Sequence, residues 1–209
     1  MISTAGLCPG PADIQCCTGS SNGGKNCPPD LNSASIDLVK DSEGFRGSPY
    51  IDPTGNPTVG FGHLCQKSGC TELGFTYPIS RTQGEQLLQT DLKIRETCLA
   101  KAVKVKLNAN QYGPLVDWTF NEGCGAMQGS TLVKRLNAGE NPNTVASEEL
   151  PKWNKGRKDG KLVVLPGLTA RRAKEVVLFR TTTSSPAVPC SGSLFNLEST
   201  EEGILKEEL

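Results

Sequence analysis

Glu43-Gly-Phe-Arg-Gly-Ser-Pro-Tyr-Ile-Asp-Pro-Thr-Gly-Asn-Pro-Thr-Val-Gly-Phe-Gly-His63 packs two carboxylates, a hydroxyl and many turn residues into one short stretch. Just upstream, a cap residue at Asn32-Ser33 precedes Ile36, Leu38 and Val39. That pattern predicts a short helix running to Glu43 and ended by Gly44. From Tyr50 onward, Pro, Gly and Asn separate short β-prone pieces, which reads as a hairpin or small antiparallel sheet. Glu43 therefore stands at a helix–sheet junction, where partial burial favours the protonated form that a proton donor needs. Asp52 falls in the polar turn Asp52-Pro-Thr-Gly55, and Thr58 lies across the hairpin, placed to hold a water between them. Cleaving a glycosidic bond takes one acid for the leaving oxygen and, on the other face of the sugar, a group that attacks or activates water. Spacing alone fits equally a helix-end Glu beside a turn-forming Asp.

Beyond this stretch the period becomes helical. Ser80-Arg81-Thr82-Gln83 has the form of a capping box, and Leu87, Leu88, Leu92, Ile94, Cys98, Leu99 and Val103 continue a long amphipathic helix toward Val105. Further helices are predicted at about Gln111–Asn121, Thr131–Leu136, Thr144–Trp153 and Thr169–Arg180. The expected fold class is α+β: a small antiparallel sheet lobe and a larger helical lobe joined by one long helix. Residues 1–31 are expected to form a Cys-rich N-terminal segment or linker, 32–190 the catalytic domain, and 191–209 an acidic C-terminal tail.

Composition narrows the function classes. At 36% hydrophobic and 21% charged residues, the 209-residue chain has enough apolar material for one core. No stretch approaches the roughly 18 consecutive apolar residues of a membrane span. Lys plus Arg equal Asp plus Glu at 22 each, so a nucleic-acid partner is not expected. The balance hides a net charge of +7 over residues 99–180, which suits either an anionic polymer partner or a solvated helical surface. Nine cysteines without CxxC pairs, beside the single His63, point to disulfides in an oxidising compartment rather than zinc. The expected location is secreted and extracellular, with a leader missing from this chain. An odd count leaves one thiol without an intramolecular partner.

Three pieces then become specific together: Leu38-Val-Lys-Asp-Ser-Glu-Gly-Phe45, Tyr50-x-Asp52 and Pro57-Thr-Val-Gly-Phe-Gly-His63. They are followed by Asn110-Gln-Tyr-Gly-Pro-Leu-Val-Asp-Trp-Thr-Phe-Asn-Glu-Gly-Cys-Gly125 and Pro166-Gly-Leu-Thr-Ala-Arg-Arg-Ala-Lys-Glu-Val-Val-Leu-Phe179. The set resembles the phage-type lysozymes of glycoside hydrolase family 24, over about residues 32–181, and looks most like secreted fungal members. The resemblance implies a muramidase that cuts the β-1,4 bond after N-acetylmuramic acid in bacterial peptidoglycan, needing no cofactor and no metal. It assigns Glu43 as the acid, Asp52 as the second carboxylate and Thr58 as the hydroxyl beside the attacking water. Asp52 and the water-positioning Thr58 favour water attack with inversion. A non-catalytic peptidoglycan- or chitin-binding protein on the same scaffold, and a chitinolytic enzyme, are the other readings.

Supporting residues follow from the same segments. In the family an arginine of the last long helix pairs with the catalytic Glu, so Arg171 or Arg172 is expected to face Glu43. His63 is read as a substrate contact or as a hydrogen-bonded structural imidazole. Trp153, at the edge of a basic loop, stacks on sugar or is partly buried in the core. Cys65 with Cys70 would close a short loop, Cys98 with Cys124 would join two helices, and Cys27 with Cys190 would tie the ends. Cys8, Cys16 and Cys17 remain, and the unpaired thiol is expected among them. A monomer is expected.

Overall fold

In the computed structural model, residues 27–52, 55–158 and 160–190 are described; Cys8, Cys16, Cys17 and the acidic tail lie outside the described residues. The first helix, α1 (Ser33–Glu43), begins where Asn32 accepts from the Ser35 N–H at 2.9 Å, and it ends where the Gly44 N–H reaches the Lys40 carbonyl. Both signals are local, which is why the short helix was legible from the chain. Strands β1 (Arg46–Ile51), β2 (Pro57–Gly60) and β3 (His63–Leu64) then form an antiparallel sheet in the order β1-β2-β3. Its register pairs Tyr50 with Thr58 and Val59 with His63. Under the sheet sits a small core of Val59, Cys65, Cys70 and Ile79.

The long helix α2 (Arg81–Ala102) starts on the capping box read from sequence, with Ser80 and Gln83 each satisfying the other's backbone N–H. Leu87 packs on the sheet core, while Leu88, Leu92 and Leu99 enter the main core, so one helix joins the two lobes. It stops short of Val105, because Val103 turns to an extended conformation. The main core surrounds α3 (Ala109–Glu122), in which Tyr112 through Thr119 are all buried. A helix covered on every side must be wrapped by others. α1 crosses it at Gly113, where a Cβ would stand 1.7 Å from the Ser35 hydroxyl oxygen, so only glycine permits this approach.

Around α3 stand α4 (Cys124–Gly129), α5 (Thr131–Asn137), α6 (Pro142–Glu149) and α7 (Pro166–Arg180). The helix expected at Thr144–Trp153 instead closes at Glu149 with a 3-10 turn over Leu150–Lys152; Pro151 there has no N–H for a helical bond. α7 starts one turn earlier than Thr169, since Pro166 is already set for a first helical position. Two ladders were not foreseen. Strands Leu107–Asn108 (β4) and Pro186–Val188 (β7) pair, and Lys155–Lys158 (β5) with Lys161–Val164 (β6) makes a hairpin between α6 and α7. Residues 27–31, assigned from sequence to the N-terminal segment, are held to the domain by Leu31, half-buried against the core, and an Asp30–Lys93 ion pair at 2.5 Å.

Candidate active site

Glu43 closes α1 and meets the rest of the molecule on two sides. Its Oε1 lies 2.8 Å from Nη1 of Arg171 on α7, and 21% of its side chain stays exposed. On the other side passes the turn between β2 and β3: a Cβ at Gly62 would stand 3.3 Å from Oε2, and φ is +82° there. Glycine is the residue that takes this backbone conformation freely and leaves room for the carboxylate. Between the end of α1 and the start of α7 opens a cavity of about 340 Å³, lined by Asp41, Ser42, Gly167, Ala170, Arg171 and others.

Arg171 and Arg172 of α7 are both buried, and they diverge. Arg171 turns to Glu43 and to Asp117 of α3, which it grips with Nη2–Oδ1 at 2.6 Å and Nε–Oδ2 at 3.1 Å. Burial works against its charge, but Asp117 and Glu43 outweigh that and hold its pKa above the ordinary value. Arg172 turns instead to Glu175 at 2.9 Å and to the side chain of Asn121. Glu175 is fully buried, and this burial pushes its carboxyl well up despite the arginines. Burial likewise raises Glu122, 3.7 Å from Arg172.

The β1–β2 hairpin brings Asp52 and Thr58 to its turn end. The Asn56 carbonyl accepts from the Asp52 N–H at 2.9 Å and from the Thr58 hydroxyl at 3.1 Å, while Oδ1 of Asp52 accepts from the Asn56 N–H at 2.8 Å. Thr58 is cross-strand from Tyr50, and Asp52 follows Tyr50 by two residues, the spacing that puts side chains on one face of a pleat. With its proton committed to Asn56, the Thr58 oxygen retains lone pairs to accept from a water.

His63, next to Gly62, sets Nδ1 3.0 Å from both carboxylate oxygens of Asp91 on α2. That hydrogen bond raises its pKa. Cys65 and Glu72 offer atoms within 4.8 Å of the His63 ring, but Cys65 is bonded to Cys70, and metal ligation needs a thiolate. Trp153 is half-buried, its ring edge-on to Trp118 with centroids 5.2 Å apart. The cysteine sulfurs meet as Cys27–Cys190 (1.96 Å), Cys65–Cys70 (2.05 Å) and Cys98–Cys124 (2.01 Å).

Asp117, Glu175 and Asp91 were not read from sequence. Asp117 did leave a signal, a carboxylate inside the apolar run Leu115-Val116-Asp117-Trp118, and Glu175 stands three and four residues after the two arginines.

A helix-end Glu held by a buried Arg, beside a small sheet and a larger helical lobe, defines a lysozyme-like glycoside hydrolase. Comparison with known proteins makes this particular. The phage lysozyme family profile matches residues 40–175, and the chain belongs to that family. The endolysin of Acyrthosiphon pisum secondary endosymbiont phage 1 is 35% identical over 149 residues, 71% of this chain and 97% of its own. The endolysin of Salmonella phage P22 is 34% identical over 149 residues, with the same coverage of 71% and 97%. Among solved structures, the endolysin from Escherichia coli O157:H7 phage FAHEc1 has a TM-score of 0.64 at 34% identity, covering 74% of this chain and 95% of its own. The muramidase domain of SpmX from Asticaccaulis excentricus has a TM-score of 0.64 at 28% identity, covering 73% and 99%. Membership makes the protein a muramidase, a glycoside hydrolase acting on peptidoglycan.

Proposed function

We propose that the protein hydrolyses the β-1,4 bond between N-acetylmuramic acid and N-acetylglucosamine with Glu43 as general acid, Asp52 as the second carboxylate and Thr58 as the hydroxyl that holds the attacking water. The observation that carries the reading is Glu43 itself, partly exposed at the helix–sheet junction with Arg171 2.8 Å from one oxygen. A proton given to the leaving sugar oxygen leaves a carboxylate on Glu43, and Arg171 lies where that charge forms. Asp52, on the polar hairpin, takes a proton from the water as it attacks the opposite face of the sugar. No cofactor enters these steps. Exposed Lys155, Arg157 and Lys161 on the β5–β6 hairpin add positive surface suited to an anionic wall. The three disulfides among the described residues suit work outside the cell, as a secreted monomer.

Proton NMR of freshly cleaved peptidoglycan tests the stereochemistry. The first product at the new reducing end is expected as the α-anomer. A β-anomer first would mean a covalent intermediate on the enzyme, and a 1,6-anhydro end would mean that no water attacks; either outcome overturns the scheme.

A further inference from the structure

We propose that Asp117 is a positioning residue for the reaction: by gripping one edge of the Arg171 guanidinium, it aims the remaining nitrogen at Glu43. This rests on the reading of Glu43 as the acid. A guanidinium is planar, so two parallel bonds from one carboxylate fix both its plane and its rotation. Asp117 makes such a pair through Nε (3.1 Å) and Nη2 (2.6 Å), and the nitrogen left over, Nη1, is the one 2.8 Å from Glu43. Asp117 itself does not wander, being fully buried in the middle of α3, the most enclosed helix of the fold. A buried carboxylate is costly unless paired, so its place at this spot is specified by the arginine it holds.

Asp117 also divides the charge that Glu43 feels. Behind Arg171 stand Arg172 and Glu175 of α7 and Glu122 of α3, and burial favours the neutral form of both glutamates. From the α3 side Asp117 is the carboxylate nearest Arg171, at 2.6 Å. On the sheet side lies His63, paired with Asp91, and Asp52 stands on the hairpin. On α1 itself, Lys40 is paired with Glu85 at 2.8 Å and Asp41 faces Lys174 at 3.8 Å. If Asp117 loses its charge, more of the Arg171 charge acts on Glu43 and favours its ionised form. The acid then gives up its proton at lower pH, before it meets substrate.

The test is kcat and KM against pH for the full chain on soluble peptidoglycan fragments, with D117N and D117E compared to the parent. For D117N the alkaline limb of kcat is expected to move about one pH unit toward acid, with KM within about threefold of the parent. D117E keeps the charge but is one methylene longer, so the limb stays in place while kcat falls about tenfold as Nη1 is displaced. Circular dichroism at the assay temperature checks that each variant is folded. Should D117N not fold, D117E alone decides: an unchanged kcat overturns the positioning role. A folded D117N with an unmoved limb overturns it as well. An active E43Q enzyme would overturn the reading of Glu43 instead, so the two failures are distinguishable.

Discussion

Replacing Asp91 by Asn isolates the His63 pair and gives stability a pH dependence of known sign. Nδ1 of His63 is 3.0 Å from both oxygens of Asp91, with side-chain exposures of 19% and 23%, so water screens the pair only in part. A hydrogen bond to a charged partner contributes about 1.5–3 kcal/mol and a neutral one about 0.5–1.5, so Asp91→Asn should cost about 1–2 kcal/mol while His63 is protonated. For a domain of this size each kcal/mol is about 2–4 °C in Tm. The folded pKa of His63 is raised by Asp91. The contribution is therefore fully present below the unfolded value of about 6.5, and it is lost as pH rises through the folded value. Urea unfolding followed by tryptophan fluorescence, with disulfides intact, measures the deficit of the variant at pH 5.5, 7 and 9.5. The deficit should be largest at pH 5.5 and small at pH 9.5. A deficit that is constant with pH, or that grows as pH rises, would refute the ion-pair account.

Other outcomes follow from the same geometry. Cys27 and Cys190 close a loop with a sequence separation of 163, whereas Cys98 and Cys124 are separated by 26. Chain entropy then puts loss of the first bridge at about 5 kcal/mol and of the second at about 3.5, so urea midpoints of the double Ser variants should fall in that order; the reverse order would contradict it. Gly62→Ala places a methyl 3.3 Å from Oε2 of Glu43 in a left-handed backbone. It should cost about 1 kcal/mol in stability and lower kcat more than it changes KM. Unchanged kinetics would show that this turn does not constrain the acid.

The starts of α1 and α2 were legible because their signals are local: Asn32 and Ser80 cap the helices that follow them, and Gly44 ends α1 beside the acid it presents. Glu43, Asp52 and Thr58, the proposed catalytic set, were singled out for a related reason, since they share one helix–hairpin segment whose turn residues read directly. What escaped reading was long-range. Arg171 and Arg172 are neighbours pointing about 100° apart on α7, and only the packing of that helix on α3 decides which one meets Glu43. Asp117 is 54 residues from Arg171, and Asp91 is 28 from His63. Each looked like a lone acid because its partner is supplied by tertiary structure. The β5–β6 hairpin escaped because its apolar run, Leu162-Val163-Val164, shows no clean alternation to mark a half-buried strand.

The central claim, that Glu43 supplies the proton, is tested most directly by Glu43→Gln. The amide keeps the size and hydrogen-bonding reach of the carboxyl and removes the proton to be donated, together with the charge that pairs with Arg171. Release of reducing ends from purified peptidoglycan, with folding checked by circular dichroism, should fall by about 10²–10⁴-fold. A folded Glu43→Gln enzyme that releases reducing ends at the parent rate would contradict the account.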